Sequence, residues 1–235
     1  MIRAVEIRKS FDETEVLKGI SMNFEKGKTN LIIGRSGSGK TVFLKSILGL
    51  YEVNEGEIVF GDKRISTLDK KERKLLRQEM GMVFQGGALF DSLTVEENVM
   101  FPLSMFTNMT KKEMQMRADF CLDRVNLIEK NKLFPSECSG GMQKRIGIAR
   151  AISMNPKYLF CDEPNSGLDP KTSILIDSLI KDITTDYQIT TIVITHDMSS
   201  VIEIGDNVIF LHDTKIWWQG DNKSIITTNN PEVLN

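Results

Sequence analysis

A glycine-rich run ending in lysine and threonine is the part of this sequence that most directly predicts chemistry. Residues 31–41 read LIIGRSGSGKT and fit G-x-x-x-x-G-K-[ST], between an apolar strand-like segment and an apolar-faced helical segment. Such a run wraps a triphosphate, because glycines let successive N–H groups converge on phosphate oxygens and the helix adds its positive end. The predicted nucleotide-binding residues are Gly34, Arg35, Ser36, Gly37, Ser38, Gly39, Lys40 and Thr41.

Two of these residues have side chains with separate tasks. Lys40 is predicted to reach the β- and γ-phosphates, and the hydroxyl of Thr41 to hold Mg²⁺. The alternative is a glycine-rich turn that only caps a helix. A chance match should occur in on the order of one such chain in a hundred, and the flanking strand and helix favour the phosphate loop further.

Two carboxylates and a histidine follow two other apolar runs. Asp162 and Glu163 come after YLFC, and His196 comes after TTIVIT. The carboxyl ends of strands are where α/β proteins bind ligands. We expect Asp162 to hold Mg²⁺, Glu163 to act as base for a water attacking the γ-phosphate, and His196 to hydrogen-bond that phosphate or water. A solvated Asp-Glu-Pro turn is the alternative, and His212 is given a structural role only.

A second anion site is predicted at the start of another helix. Ser139, Gly140 and Gly141 offer a hydroxyl and free backbone N–H groups at that helix's N-terminus. A nucleoside kinase or a GTPase needs only one phosphate-binding end, and the sequence contains no Asn-Lys-x-Asp for reading guanine. Two such ends in one chain argue against both classes.

Apolar periodicity predicts the elements that must position these groups. The predicted strands are 29–33, 57–60, 81–84, 158–161, 190–195 and 207–211. The predicted helices are 40–48, capped by Gly49, and 70–79, 111–127, 141–154 and 171–184. Several strands are too apolar for one solvated face, and their alternation with helices predicts an α/β fold with a mostly parallel sheet.

Two regions depart from this alternation. Residues 86–156 contain no strand-like run, which predicts a helical lobe inserted into the chain path. The first ~60 residues predict short antiparallel strands, joined by turns at Gly19, Gly27, Gly56 and Gly61. We therefore predict a single domain, with a core lobe at about 1–85 and 157–235 and a helical lobe at about 86–156.

Composition excludes several classes of function. Thirty Lys and Arg against 32 Asp and Glu give a net charge of −2, so nucleic acid is not an expected partner. Three cysteines without C-x-x-C spacing predict a reducing compartment. The N-terminus lacks the apolar run of a signal peptide, and the most apolar window, 99–109, falls short of the ~20 residues of a membrane-spanning helix. Any membrane role must therefore come through a partner.

In order along the chain, these motifs resemble the ATP-binding cassette (ABC) family over essentially the whole sequence. In that family two cassettes sandwich two ATP molecules, and the phosphate loop of one faces the signature motif of the other. The resemblance implies a P-loop NTPase with a RecA-like sheet, an ATP–Mg²⁺ cofactor and a homodimer. It implies that Phe11 stacks on adenine, that Gln85 senses Mg²⁺ and water, and that Ser139, Gly140 and Gly141 contact the partner's ATP. It also implies a D-loop at 166–169.

This sequence departs from the family pattern at three positions. Cys138 and Met142 stand where the usual signature, L-S-G-G-Q, has leucine and glutamine, and Gly167 stands where the D-loop commonly has alanine. None of the three removes a phosphate ligand or the base.

The segments GGMQKR and FQGGALFDSLTVEENVMFPL resemble the ATPase of Mla-type systems, which move phospholipids with a partner that bears an Mce domain. That resemblance implies a peripheral subunit on the cytoplasmic face of the inner membrane. Its partners would be membrane permease subunits contacted near 85–109, an Mce-domain protein and small regulatory subunits. Cassettes of amino-acid importers, lipoprotein-release systems and cell-division systems are the alternatives.

Overall fold

The phosphate-loop strand lies in the middle of a six-stranded sheet. The computed structural model describes residues 1–230 and residue 232, and the sheet order is β10-β9-β3-β8-β7-β6. Its strands are β3 (Thr29–Ile33), β6 (Met80–Val83), β7 (Tyr158–Asp162), β8 (Thr190–Thr195), β9 (Asn207–His212) and β10 (Lys215–Gly220). All neighbours pair in parallel except β9 and β10, which are antiparallel. The predicted mostly parallel α/β sheet is confirmed.

A second, antiparallel sheet of four strands is formed by the first part of the chain. Its order is β2-β1-β4-β5, and its strands are β1 (Ile2–Phe11), β2 (Thr14–Phe24), β4 (Glu55–Phe60) and β5 (Lys63–Arg64). The antiparallel sheet was expected, but the prediction of short strands is wrong for β1 and β2, which have 10 and 11 residues.

Two of the four predicted glycine turns are also wrong. Gly27 and Gly61 lie in turns, whereas Gly19 lies inside β2 and Gly56 inside β4. The cause is a bulge in β1 near Glu6, which has a φ of 49° and interrupts the register with both neighbours. A Cβ on Gly56 would lie 2.4 Å from the carbonyl oxygen of Glu6, so only glycine lets β4 pass this bulge.

Seven α-helices and two short 3₁₀ helices complete the described fold, and each predicted helix is present with its ends shifted by a few residues at most. The α-helices are α1 (Lys40–Ile47), α2 (Lys70–Gln78), α3 (Val95–Phe106), α4 (Lys111–Arg124), α5 (Gly140–Ile152), α6 (Pro170–Asp186) and α7 (Met198–Ile204). Helices α3 and α7 and strand β10 were not predicted. Gly49 follows α1 at its C-terminus as expected. Among the described residues, no helix combines the length and apolar character that crossing a membrane requires.

The core lies on both faces of the large sheet. Alternate residues of β3 point to opposite faces, so Leu31 and Ile33 pack in one apolar cluster and Ile32 in another. The first cluster joins the sheet to α3, α4, α5 and α6. The second joins it to α1 and the antiparallel sheet. The large sheet is thus covered on both faces, and only its edges and strand ends are left for a site.

Candidate ATP-binding site

Three parallel strands end side by side at one edge of the large sheet. Ile33 of β3 pairs with Thr195 of β8, and Asp162 of β7 pairs with Ile194. The loops that leave these strands therefore start at the same level. They enclose an open cavity of about 640 Å³. Its lining residues are Val16, Arg35, Ser36, Gly37, Gly39, Lys40, Thr41, Val42, Gln85, Asp162, Glu163 and His196. Most of the predicted nucleotide-site residues are thus brought together.

The phosphate loop leads into α1 through a backbone turn that requires glycine. Gly39 is the N-cap of α1 with a φ of 96°, and a Cβ there would lie 2.9 Å from the carbonyl oxygen of Val16. The Nζ of Lys40 donates to the carbonyl oxygens of Gly34 over 2.6 Å and Arg35 over 2.9 Å. An ammonium has three donors, so one remains for a ligand in the cavity.

Burial alone disfavours the charged form of Lys40. Its side chain is 8% exposed, and this desolvation lowers its pKa, while the charges of Glu163 and Asp162 raise it. The two carboxylates thus help to keep the ammonium charged. A protonated lysine beside backbone N–H groups at a helix N-terminus is a strong site for phosphate oxygens.

Glu163 and His196 touch each other at the mouth of the cavity. Nδ1 of His196 lies 2.8 Å from Oε2 of Glu163. Glu163 has a left-handed backbone, with a φ of 48°, and its N–H donates to the carbonyl oxygen of Ile194 over 2.9 Å. Strain of this kind concentrates at functional sites, where the surrounding structure fixes it. The predicted base and the predicted histidine are therefore neighbours in space, although 33 residues separate them.

Oxygen ligands suited to Mg²⁺ line the same cavity. They are the hydroxyl of Thr41, the amide oxygen of Gln85 and the carboxylate of Asp162, whose pKa is raised by burial and by Glu163. Among the described residues, no three His, Cys, Asp or Glu side chains form a metal cluster. Mg²⁺ is usually held by one or two carboxylates together with substrate phosphates, so this sparse oxygen set fits it.

The segment that carries Gln85 is fixed by two cations of α5. Nζ of Lys144 donates to the carbonyl oxygen of Gln85, and the guanidinium of Arg150 donates to those of Gly87 and Ala88 over 2.8 Å each. Both cations are buried, and desolvation lowers the pKa of each. We did not predict these two residues from the sequence. Contacts between residues about 60 positions apart leave no periodic signal in the sequence.

The predicted second anion site lies in a separate cavity of about 450 Å³. Ser139, Gly140 and Gly141 line it together with Asp169, Lys171 and other residues of the 167–175 segment. Ser139 is the N-cap of α5, and its Oγ accepts a hydrogen bond from the N–H of Met142 over 3.3 Å. The hydroxyl proton of Ser139 therefore stays available for an anion. The two predicted phosphate-binding ends of the chain therefore line separate cavities.

Phe11 is set apart from the residues that line the main cavity. Its ring is 39% exposed and packs edge-on against Tyr51, with ring centroids 5.2 Å apart, and Nζ of Lys9 lies 5.0 Å from its centroid. Its contact with adenine stays a prediction, and Tyr51, which supports the ring, was not predicted.

Comparison with known proteins identifies the class to which this site belongs. Residues 17–166 match the family described as "ABC transporter". The chain is 38% identical over 229 residues to the methionine import ATP-binding protein MetN of Clostridioides difficile (strain 630), covering 97% of this chain and 71% of that protein. It is 34% identical over 236 residues to the probable ribonucleotide transport ATP-binding protein mkl of Mycobacterium leprae (strain TN), covering 98% and 67%.

A solved structure gives the same result. A dimeric post-hydrolysis state of the ATP-binding cassette MJ0796 bound to ADP and Pi superposes with a TM-score of 0.84 at 32% identity, covering 94% of this chain and 99% of that one. This chain therefore belongs to the ABC transporter family. It is the ATP-hydrolysing cassette of a transporter, the motor component that the resemblance implied.

The α5 contacts generate a test of what fixes the loop of Gln85. Arg150→Met should speed amide hydrogen exchange in a peptide spanning 85–88 and lower the free energy of unfolding by about 2 kcal/mol, because two charge-assisted hydrogen bonds are lost. Hydrogen–deuterium exchange with mass spectrometry measures the first effect and denaturant titration the second.

Arg145→Met is the matched control, since Arg145 lies on the same helix but donates to the carbonyl oxygens of Val125 and Asn126. It should speed exchange near 125–126 and leave 85–88 unchanged. Equal exchange at 85–88 in the two variants would contradict the assignment.

Proposed function

We propose that this chain powers lipid movement as the peripheral ATPase of a membrane transporter, and that Glu163 and His196 carry out ATP hydrolysis. The observation that carries the catalytic part is their 2.8 Å contact beside the phosphate loop, in the cavity that Lys40 also lines. Side chains that meet there can act on the γ-phosphate of a nucleotide whose phosphates occupy the loop.

The proposed roles follow from the chemistry of each group. Glu163 accepts a proton from the water that attacks the γ-phosphate. Its carboxylate is already in hydrogen-bond contact with His196. His196 orients Glu163 through Nδ1, and its other ring nitrogen can then reach the phosphate or the water. Lys40 neutralises charge that develops on the β- and γ-phosphate oxygens.

Mg²⁺ is the proposed second cofactor after ATP. Thr41, Gln85 and Asp162 would hold it, and when bound it would neutralise charge shared between the β- and γ-phosphates. Gln85 has an additional contact, because its Nε2 donates to Oγ of Ser166 over 3.3 Å. This links the proposed metal ligand to the segment that follows Glu163.

We further propose that two copies of the chain form each complete ATP site. Support comes from the two separate cavities, one lined by Lys40 and Glu163, the other by Ser139, Gly140 and Gly141. In a two-fold dimer, one chain's phosphate loop would face the other's Ser139 hydroxyl and α5 N-terminus. The MJ0796 cassette is dimeric in its ADP and Pi complex.

We propose that the chain divides into a core lobe (about 1–85 and 157–235) and a helical lobe (about 86–156). The helical lobe provides the surface on which the permease docks. Exposed apolar side chains that support docking in the helical lobe are Phe90, Met105, Phe106 and Met109. The proposed location is the cytoplasmic face of the inner membrane, with the permease embedded in it.

Phospholipid is the proposed cargo, with an Mce-domain protein and small regulatory subunits as further partners. Support comes from the resemblance of GGMQKR and the 84–103 segment to Mla-type ATPases. Amino-acid import is the second candidate, and it is favoured by the 38% identity to a methionine import ATP-binding protein.

The catalytic proposal predicts opposite effects for two substitutions. Glu163→Gln should reduce steady-state ATP hydrolysis by at least about a hundredfold, because the amide cannot accept the proton of the water, and should leave ATP affinity near that of the wild type. Lys40→Ala should instead weaken ATP binding by roughly ten- to a hundredfold, because a charge-assisted contact is lost. Phosphate release and equilibrium binding of a fluorescent ATP analogue measure the two. Near-normal turnover in Glu163→Gln would refute the role of the base.

The dimer proposal predicts that two inactive variants complement each other. Gly140→Asp should block the partner's ATP site by like-charge repulsion, with monomer ATP affinity retained. Position 140 suits the test because an added Cβ meets Leu168 at 3.7 Å, whereas at Gly141 it would lie 2.8 Å from Thr172.

Mixed with Glu163→Gln, this variant gives heterodimers with one intact site, if each site combines Glu163 of one chain with Gly140 of the other. Recovered ATPase activity in the mixture is the expected result. Heterodimers demonstrated by mass spectrometry but inactive would count against a shared site.

The cargo proposal is tested by isolating the tagged chain from its native membranes, with mass spectrometry of proteins and lipids. We expect a permease, an Mce-domain protein and enriched phospholipid. Recovery of an amino-acid importer's permease without lipid would favour the second candidate.

Phe106→Ala should reduce recovery of the permease, and the matched control Trp217→Ala, with a similarly exposed aromatic outside the helical lobe, should not.

A further inference from the structure

A buried polar cluster joins the same two loops as the Glu163–His196 contact. It consists of Asn165, Asp177 and Ser200, whose exposed fractions are 8%, 2% and 1%. Asn165 lies in the loop after β7, Asp177 in α6 and Ser200 in α7. None of them lines either of the phosphate-binding cavities.

The side-chain amide of Asn165 donates two hydrogen bonds within the cluster. Nδ2 of Asn165 donates to Oδ1 of Asp177 over 2.8 Å and to Oγ of Ser200 over 3.0 Å. Both hydrogens of the amide are used in this way. The flipped amide would direct its oxygen at the carboxylate, so the donor arrangement fixes its orientation.

The cluster is costly to bury. Oδ1 of Asn165 is buried and accepts no hydrogen bond from the part of the chain that the structure describes. Burial raises the pKa of Asp177, although hydrogen bonds from Asn165 and Ser200 lower it. An apolar core would avoid both costs. Fixing the relative position of three segments is what these polar groups add.

The cluster lies close in sequence to the two proposed catalytic side chains. Asn165 is two residues after Glu163, and Ser200 is four residues after His196. The Glu163–His196 contact is a weak constraint alone, because 70% of the His196 side chain is exposed to water. The Asn165–Ser200 bond links the same segments in the interior, where hydrogen bonds are stronger.

We propose that Asn165, Asp177 and Ser200 are positioning residues that keep the loop of Glu163 and the loop of His196 in contact during turnover. Asp177 is the anchor, because it lies within the seventeen-residue helix α6. The inference rests on the catalytic roles proposed above for Glu163 and His196.

Exchange of donor and acceptor tests the proposal. Asn165→Asp places two carboxylates in contact and removes both hydrogen bonds, so kcat should fall about ten- to a hundredfold while ATP affinity stays within about threefold of the wild type. Adding Asp177→Asn reverses the pair: the new amide at position 177 and the Ser200 hydroxyl can both donate to the new carboxylate at position 165. The double variant should recover kcat to within about threefold of the wild type.

A second readout follows the position of His196 directly. The chain has two histidines, so the ring-nitrogen NMR signals of His196 can be assigned with His212→Gln. These signals should move toward those of Glu163→Gln in the Asn165→Asp variant and return in the double variant. A residue that merely stabilises the fold would not move them.

Thr184→Val is the matched control. Thr184 is a fully buried polar residue of α6 whose hydroxyl bonds to Ile180 and Thr191, away from the catalytic loops. This variant should lower the melting temperature and leave kcat and the His196 signals unchanged.

Wild-type kcat in Asn165→Asp, or no recovery in a folded double variant, would overturn the inference. If Asn165→Asp does not fold, Ser200→Ala replaces it, and unchanged kcat and His196 signals in that variant would likewise overturn it. Wild-type turnover in Glu163→Gln would instead overturn the proposed catalytic role, so the two failures are distinguishable.

Discussion

The hydrogen-bond register of β3, β8 and β7 is the constraint on which the rest of the site depends. Because Ile33 pairs with Thr195 and Asp162 with Ile194, the three strands end on one line. The bond from the N–H of Glu163 to Ile194 extends this ladder past the end of β7. A slip of one residue would turn every side chain to the other face of the sheet, and the carboxylates would leave the phosphate loop.

The site concentrates features that oppose folding, and the sheet supplies the stability they require. Lys40 is buried, the pKa of Asp162 is raised by burial, and Glu163 has a left-handed backbone. A left-handed backbone at a residue other than glycine costs on the order of 1–3 kcal/mol, and burying a charged group adds a desolvation penalty. Directly behind them, both faces of the sheet are packed in buried apolar clusters. A site at the strand ends can therefore be strained while the strands themselves are not.

Local patterns predicted the strands that carry the site, but they missed α7, which begins two residues after His196. The fully buried runs Thr29–Ile33 and Thr190–Thr195 were predicted to the residue, because their short length and β-branched residues favour a strand over a helix. Gly19 and Gly56 were placed in turns, because a glycine opposite a bulge cannot be told from a turn glycine without knowing which strand it faces. The sequence also did not predict the hydrogen bonds of Lys144 and Arg150 to the Gln85 loop, since each joins residues about 60 positions apart.

Helix α5 carries the Ser139 hydroxyl at one end and Arg150, bonded to the Gln85 loop, near the other. Eleven residues apart along a helix, these points are roughly 16 Å apart. A tilt of about five degrees around Arg150 would therefore swing Ser139 by roughly 1.4 Å, half the length of a hydrogen bond. In the proposed dimer, a rotation this small at the Arg150 end of α5 would be enough to make or break a contact between Ser139 and a phosphate bound by the other subunit.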